Sequence, residues 1–509
     1  MRTAAQPRQP PARQPPARQG RAVVAVLGAA LFAVLGSLAI APARAAALVP
    51  DAIANDVTPA VTHVGQSTTF TVVGTGFTPA TSIGFGTGIT VTGISILSTT
   101  SLVADVTIAA NAADGTRNIV VQNTGGKAST LTDAIVVRSP AGELHPLSPA
   151  RLLDTRDPGG RKVGTDEGRL LTVVGSGGVP PSGVGAVVLN VTATDPTAAT
   201  YVTAYPAGAT RPEASNLNVV PGQTVPNLVT VAVGTNGQVV LYNHSGTVNL
   251  VVDVAAWYGT AASTPGSAFV PLTPIRLLDT RLAGAKQPVG ADAAITLKVA
   301  ASGSAVAAAL NVTITEPTAA TYLTVWPSDG ARPLASNLNA VAGETRPNMV
   351  IARLGPDGTV RIYNHSGTAH VVVDLLGLFA SDRIPVLGGQ FVGTTPVRIL
   401  DTRGTLGGRA STPLGTGESA VVVIAGRGGV PADATAVVMN VTATEATAPG
   451  YLTVWPDGDD RPTASNLNMV AGDTVPNLVV VPLGPDGTVD VFNWAGSTHV
   501  LFDVVGWFS

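Results

Sequence analysis

"AHVVVDLLGLF" (369–379) is apolar on both sides of an extended chain, yet it carries a carboxylate, Asp374, in its middle. Successive side chains of a strand point to opposite faces, so a run without a polar face is covered on both. An ionised carboxylate there is too costly to leave alone and must be paired or protonated. The same arrangement recurs as "LVVDVAA" around Asp253 and "VLFDVVG" around Asp503.

Working outward, each of these closing strands ends a unit with the same landmarks in the same order. "PARLLDTR" (149–156), "PIRLLDTR" (274–281) and "PVRILDTR" (396–403) open the three units. "LNVT", "LNVT" and "MNVT" follow at Asn190, Asn311 and Asn440, then "ASNLN" at 214–218, 335–339 and 464–468. "VPNLV", "RPNMV" and "VPNLV" come next, and then "LYNHSG", "IYNHSG" and "VFNWAG". This is a triplicated unit, and repeats of this length imply one folding element written three times. The Pro/Gly/Ser-rich joints "GTAASTPGSA" (259–268) and "ASDRIPVLGGQ" (380–390) read as short linkers between beads.

Within a unit the apolar and β-branched runs are short and are separated by tight-turn tetrapeptides such as "GPDG" (355–358). About eight strands per unit predict an all-β chain of antiparallel sandwiches, of jelly-roll or immunoglobulin-like type. The alternative is two four-stranded blades per unit, making one six-bladed propeller of all three. Composition agrees with the β class: 45% hydrophobic but only 4% aromatic, with 57 Gly and 39 Pro, implies many turns and few long helices.

The N-terminus reads as an export signal. A basic, Pro-rich leader precedes "AVVAVLGAALFAVLGSLAIA" (22–41), and "APARAAA" supplies small residues for cleavage near Ala45. The apolar run is also long enough to stay as an anchor. Residues 1–45 hold six of the 29 basic residues and no acid, leaving 23 against 32 acidic ones. That sign disfavours nucleic acid as a partner, and no membrane contact beyond the leader is expected. No cysteine is present, so an exported chain of this kind has no disulfide staples. The expected organisation is a signal peptide at 1–45, an immunoglobulin-like domain at 46–140, and repeats at 141–259, 269–380 and 391–509.

The segment before the repeats carries "GQSTTFTVVGTGFTPATSIGFGTGITVTGI" (65–94) and "DGTRNIVVQNTGGKAS" (114–129). It resembles the IPT/TIG family of immunoglobulin-like domains, which implies a spacer or interaction module of a surface protein. The triplicated part is similar to "RLLDTR"-type repeats of secreted proteins from high-GC Gram-positive bacteria, a resemblance that implies modular secretion and no particular activity.

In an extended "RLLDTR", Arg151 faces away from Asp154 and Arg156, which pair locally. Arg151 then suits Asp253, Arg276 suits Asp374, and Arg398 suits Asp503. Each pair would tie the first strand of a unit to its last, and losing one partner would cost about 3–5 kcal/mol. The rival reading makes the carboxylates a glycoside-hydrolase pair, but catalytic acids stand in open clefts rather than inside apolar strands. A His–Ser–Asp triad at His244 and His365 is disfavoured too, because the third unit has Trp494 and Ala495 there. Those positions read as exposed hairpin ends. No His or Cys spacing suggests a metal, and no cofactor is expected.

The remaining candidates are flat rings and amides. Tyr201 and Tyr205, Tyr322 and Trp326, and Tyr451 and Trp455 stand four apart on one face of an aromatic strand whose aliphatic face would pack inward. With Asn216, Asn337 and Asn466 nearby, they would suit a neutral sugar: CH–π stacking for the ring, amide donors and acceptors for the hydroxyls. The competing reading puts the rings in the core and the amides on turn backbone. The expected function is therefore a secreted, non-catalytic, multivalent binder of surface glycan. The alternative is a structural or adaptor component contacting an extracellular protein partner. The sequence carries no indication of oligomeric state.

Overall fold

The computed structural model describes residues 49–282, 287–380, 388–409 and 411–509. The expected signal segment lies outside the described residues, as does most of the second joint. Among the described residues the regular structure is strand, apart from one 3-10 turn at Thr235–Gly237. Among the described residues no helix is long and apolar enough to cross a membrane.

Residues 53–138 form a two-sheet sandwich. One sheet runs Ile53–Thr58, Ser67–Thr75, Ser101–Ile108, Ile89–Ser98, and the other Val61–His63, Ser129–Arg138, Gly115–Asn123, Thr81–Gly84. Val61–His63 pairs parallel to the end of the last strand. Phe70, Phe77, Phe85, Leu102 and Ile119 fill the interior.

Each repeat is a second kind of sandwich, and the middle one serves to describe all three. Its inner sheet has the order opening strand (Phe269–Asp279), closing strand (His370–Ala380), central strand (Ala305–Thr315), axial strand (Arg346–Arg353). Its outer sheet has the order Ala293–Lys298, Thr359–Asn364, aromatic strand (Thr321–Pro327), Leu338–Ala340. Counted along the unit, the strands alternate between sheets, except that the aromatic strand and Leu338–Ala340 follow one another in the outer sheet, which is the double Greek-key order of a jelly roll. The propeller alternative falls on this point, because a blade takes four consecutive strands and neither sheet does.

The central strand explains why three such units do not remain beads. Ala308, Leu310, Val312 and Ile314 face the core of their own sandwich. Ala307 and Ala309, on the other face, join a different cluster with Met349, Ile351, Leu376 and Phe379. That cluster also contains Ala186, Val188, Leu228 and Tyr258 of the first repeat and Val438, Leu478, Val480 and Phe508 of the third. The inner sheets thus have two buried faces, one within each sandwich and one against the other two repeats, and the alanines let the backbones approach. The first joint is packed rather than loose: Ala268 is fully buried, and Ser267 and Leu144 exchange backbone hydrogen bonds.

Asparagines seal this shared core. Asn348 donates to Asn190 Oδ1 of the first repeat (2.9 Å) and to Asn337 O of its own (2.6 Å), and its Oδ1 accepts from the Leu228 N–H (3.0 Å). Asn190 in turn donates to Ser336 O (2.7 Å). The second repeat does the same to the third through Asn477, Asn311, Met349 and Ser465. The third does it to the first through Asn227, Asn440, Leu478 and Ser215. The pattern closes after three steps, so one chain builds a cyclic trimer of its own repeats.

Candidate functional site

The charged motif is a fastener. Arg151 Nε lies 2.6 Å from Asp253 Oδ1, and Arg398 Nε lies 2.8 Å from Asp503 Oδ1. Arg276 Nε donates to Asp374 Oδ1 in the same way. Each arginine also meets the aspartate of its own motif, for Arg151 at 2.9 Å from Asp154. Arg156, Arg281 and Arg403 clamp those aspartates from the other side. Asp374 is 1% exposed, and burial raises its pKa against the lowering effect of Arg276. Asp253 and Asp503 are shifted in the same direction for the same reason. Carboxylates closed in this way have no open face for a substrate. Arg276 and Arg398 also reach into the next repeat, to Thr463 O (3.1 Å) and Glu213 O (3.4 Å).

The aromatic strand divides into two parts. Leu323 and Val325 face the sandwich core, which leaves Tyr322, Thr324 and Trp326 on the outer face of the outer sheet. Trp326 is only 3% exposed there, with its Nε1 donating to Gly330 O (3.0 Å). Trp455 makes the equivalent bond to Asp459 O (3.0 Å). The segment that follows the aromatic strand folds back over this end: Thr324 donates to Ala335 O, and Arg332 lies 3.6 Å over the Tyr363 ring. Tyr205, half-buried, occupies the matching position in the first repeat. The expected Trp326 and Trp455 platforms are therefore covered surfaces. The three expected amides are withdrawn as well. Asn216, Asn337 and Asn466 are buried, and each Oδ1 accepts a backbone N–H of the aromatic strand: Ala204, Val325 and Val454.

Tyr322 is the other case. It is half-buried, and the His365 ring stacks on it at 4.5 Å. Tyr201 stacks with His244 at 4.5 Å and Tyr451 with Trp494 at 5.3 Å. The hairpin that carries His365 is held by Asn364, whose amide donates to carbonyls on two segments, Val289 and Gly290 on one and Ser366 and Gly367 on the other. Trp494 is 52% exposed, and His244 and His365 are exposed as well. In the sequence these rings read only as exposed hairpin ends. They are exposed there, and the overlooked signal was that the third copy replaces an imidazole with another flat ring.

Next to each ring pair lies a turn, "VPGQT" (220–224), "VAGET" (341–345) or "VAGDT" (470–474), in which Gln223, Glu344 and Asp473 cap the backbone N–H of Val220, Val341 and Val470. These valines are 45%, 58% and 54% exposed, an apolar position kept open in all three repeats. Each turn meets the next repeat, and a cavity forms at each junction, with volumes of about 290, 380 and 630 Å3. The second is walled by Tyr322, His365, Asn339 and Arg346, together with Gly222–Thr224 of the first repeat. The first and third reach Thr200 and Gly450, the neighbours of Tyr201 and Tyr451. All three lie at the strand ends remote from Leu144 and Gly259, where the N-terminal sandwich joins. Among the described residues no group of three His, Cys, Asp or Glu is arranged to hold a metal ion.

Residues 52–135 match the family described as quinohemoprotein amine dehydrogenase, alpha subunit domain III, so the N-terminal sandwich is similar to a domain of that name. No curated protein matches the chain. One similar solved structure is SGBP-B of the Bacteroides ovatus mixed-linkage glucan utilization locus, in complex with a mixed-linkage heptasaccharide: 12% identity, 64% of this chain, 73% of that one, TM-score 0.16. Another is a triple jelly-roll protein of an archaeal virus turret, at 8% identity, 72% and 90% coverage and TM-score 0.16. A third, a crystal structure with xylogluco-oligosaccharide, has 9% identity, 90% and 99% coverage and TM-score 0.14. At such scores the likenesses carry no functional argument.

Proposed function

We propose that this chain is an extracellular, non-catalytic, multivalent glycan-binding protein. The observation that carries the reading is the threefold set of accessible ring pairs, Tyr201–His244, Tyr322–His365 and Tyr451–Trp494, all at the free end of a sealed trimer of repeats. Ring faces stack on the C–H face of a neutral sugar, while other amides, Asn218, Asn339 and Asn468 at the junction cavities, offer donors and acceptors to hydroxyls. Three weak sites in one rigid body raise avidity without any new contact. The triplicated carboxylates are closed by arginine, which supports binding rather than hydrolysis. The leader-like residues 1–45 go with export, and the IPT/TIG-like sandwich serves as a spacer at the end of the trimer opposite the ring pairs.

The test is a glycan array with the full chain, followed by Tyr201→Ala, Tyr322→Ala and Tyr451→Ala together. Saturable binding that is lost in the triple variant, with the protein still folded, supports the reading. Binding indifferent to all three rings, or capture of an extracellular protein with no glycan bound, overturns it in favour of an adaptor.

A further inference from the structure

We infer that the three junction cavities are one ligand path, and that a single neutral glycan chain, gripped along its length, crosses it; this rests on the glycan reading above. Gln223 lines all three cavities, and so does Arg346. Glu344 and Asp473 line two each. Walls shared in this way are one side chain thick, so the cavities meet around the axis instead of standing apart. Singly, two of them lie near the lower limit of about 300 Å3 for pockets that enclose a drug-sized ligand, room for a short stretch of sugar chain. A longer chain passes from one cavity, across Gln223 and Arg346, into a second.

The charges of the path balance. Arg346 and Arg281 face Glu344 and Asp473, and Arg346 is already paired with Glu344 through its Nε (2.8 Å). Balanced pairs of this kind bind vicinal hydroxyls by charge-assisted hydrogen bonds and give no net pull on a uronate or sulfate. The path is also not symmetric, because Arg346 stands where the other repeats have Val225 and Val475. One orientation of the chain is therefore preferred, and one chain occupies each protein.

Isothermal titration of the full chain with malto- and cello-oligosaccharides, from disaccharide to octasaccharide, tests this. The expected result is affinity rising about tenfold or more with length in one series, while stoichiometry falls to one per protein. Gln223→Ala and Arg346→Val should each reduce affinity more for the long members than for the disaccharide, so that the gain of affinity with length shrinks. Three equivalent sites whose affinity ignores length would overturn the single path and leave the glycan reading standing. No binding by either series, with the variants folded, would overturn both. Equal or tighter binding of an oligouronate ladder would overturn the claim of neutrality.

Discussion

Asn348 Nδ2 lies 2.9 Å from Asn190 Oδ1, and the two residues belong to different jelly rolls. Asn348 also donates to Asn337 O of its own repeat, so its one amide joins two sandwiches. Replacing Asn348 by Leu leaves the Leu228 N–H, the Asn190 carbonyl oxygen and the Asn337 carbonyl without their partner. At about 1–3 kcal/mol for a buried polar group left unpaired, the loss should reach about 3 kcal/mol in denaturant unfolding. The Asn190→Ala and Asn348→Ala pair should be strongly non-additive in a double-mutant cycle. Independent, additive effects would mean that the repeats do not fold as one body.

Removing either side of the buried ion pair should not be equivalent. Asp374→Asn leaves Arg276, which is 23% exposed and still bonded to Asp279, so it should be the milder change. Arg276→Leu instead strands a carboxylate that is 1% exposed, at a cost of about 3 kcal/mol, the lower end for a pair whose arginine is partly wet. Thermal melts of the two single variants decide the order.

Tyr322 and Trp326 stand four residues apart on one face but should behave oppositely. Trp326→Ala empties a covered position and should cost about 3 kcal/mol of stability. Tyr322→Ala should cost less, about 1 kcal/mol, while weakening glycan binding. Paired melts and titrations check both.

Acid should loosen the root of the N-terminal sandwich. Glu143 is fully buried where that sandwich meets the first repeat. Burial pushes its pKa up, but the hydrogen bond from His63, the charges of His63 and Arg138, and the Gly266 N–H together hold it below its ordinary 4.5. A depressed carboxylate stabilises the fold above its unfolded pKa, and that contribution is lost as pH falls through the folded value. Asp253, Asp374 and Asp503 have the opposite sign: their contribution is present in acid and fades as pH rises through their raised values. Glu143→Gln should therefore flatten the fall in stability below about pH 4.5, measured by urea unfolding across that range.

Much of this architecture is legible in the sequence because the evidence is local. Alternation along "TYLTVWP" (321–327) places Leu323 and Val325 inward, and the thrice-written arginine and aspartate point to one another across each unit. The run around Asp374 already says that both faces of the closing strand are covered. What covers the second face cannot be read there, since it belongs to strands more than a hundred residues away. The asparagines are opaque for the same reason. A buried amide in "LNVT" demands a partner, but nothing near Asn190 identifies Asn348. Trp326 misleads because the backbone segment that shields it is polar and reads as an open loop.

A ring of three identical separate chains must carry any change three times over. Fusing the copies lifts that restriction, so a substitution in one repeat touches one wall only. Arg346 beside two valines, and Trp494 beside two histidines, are changes of that kind. Covalent continuity thus turns an inherited symmetry into a scaffold on which three neighbouring surfaces can drift apart while the asparagine seal beneath them stays fixed.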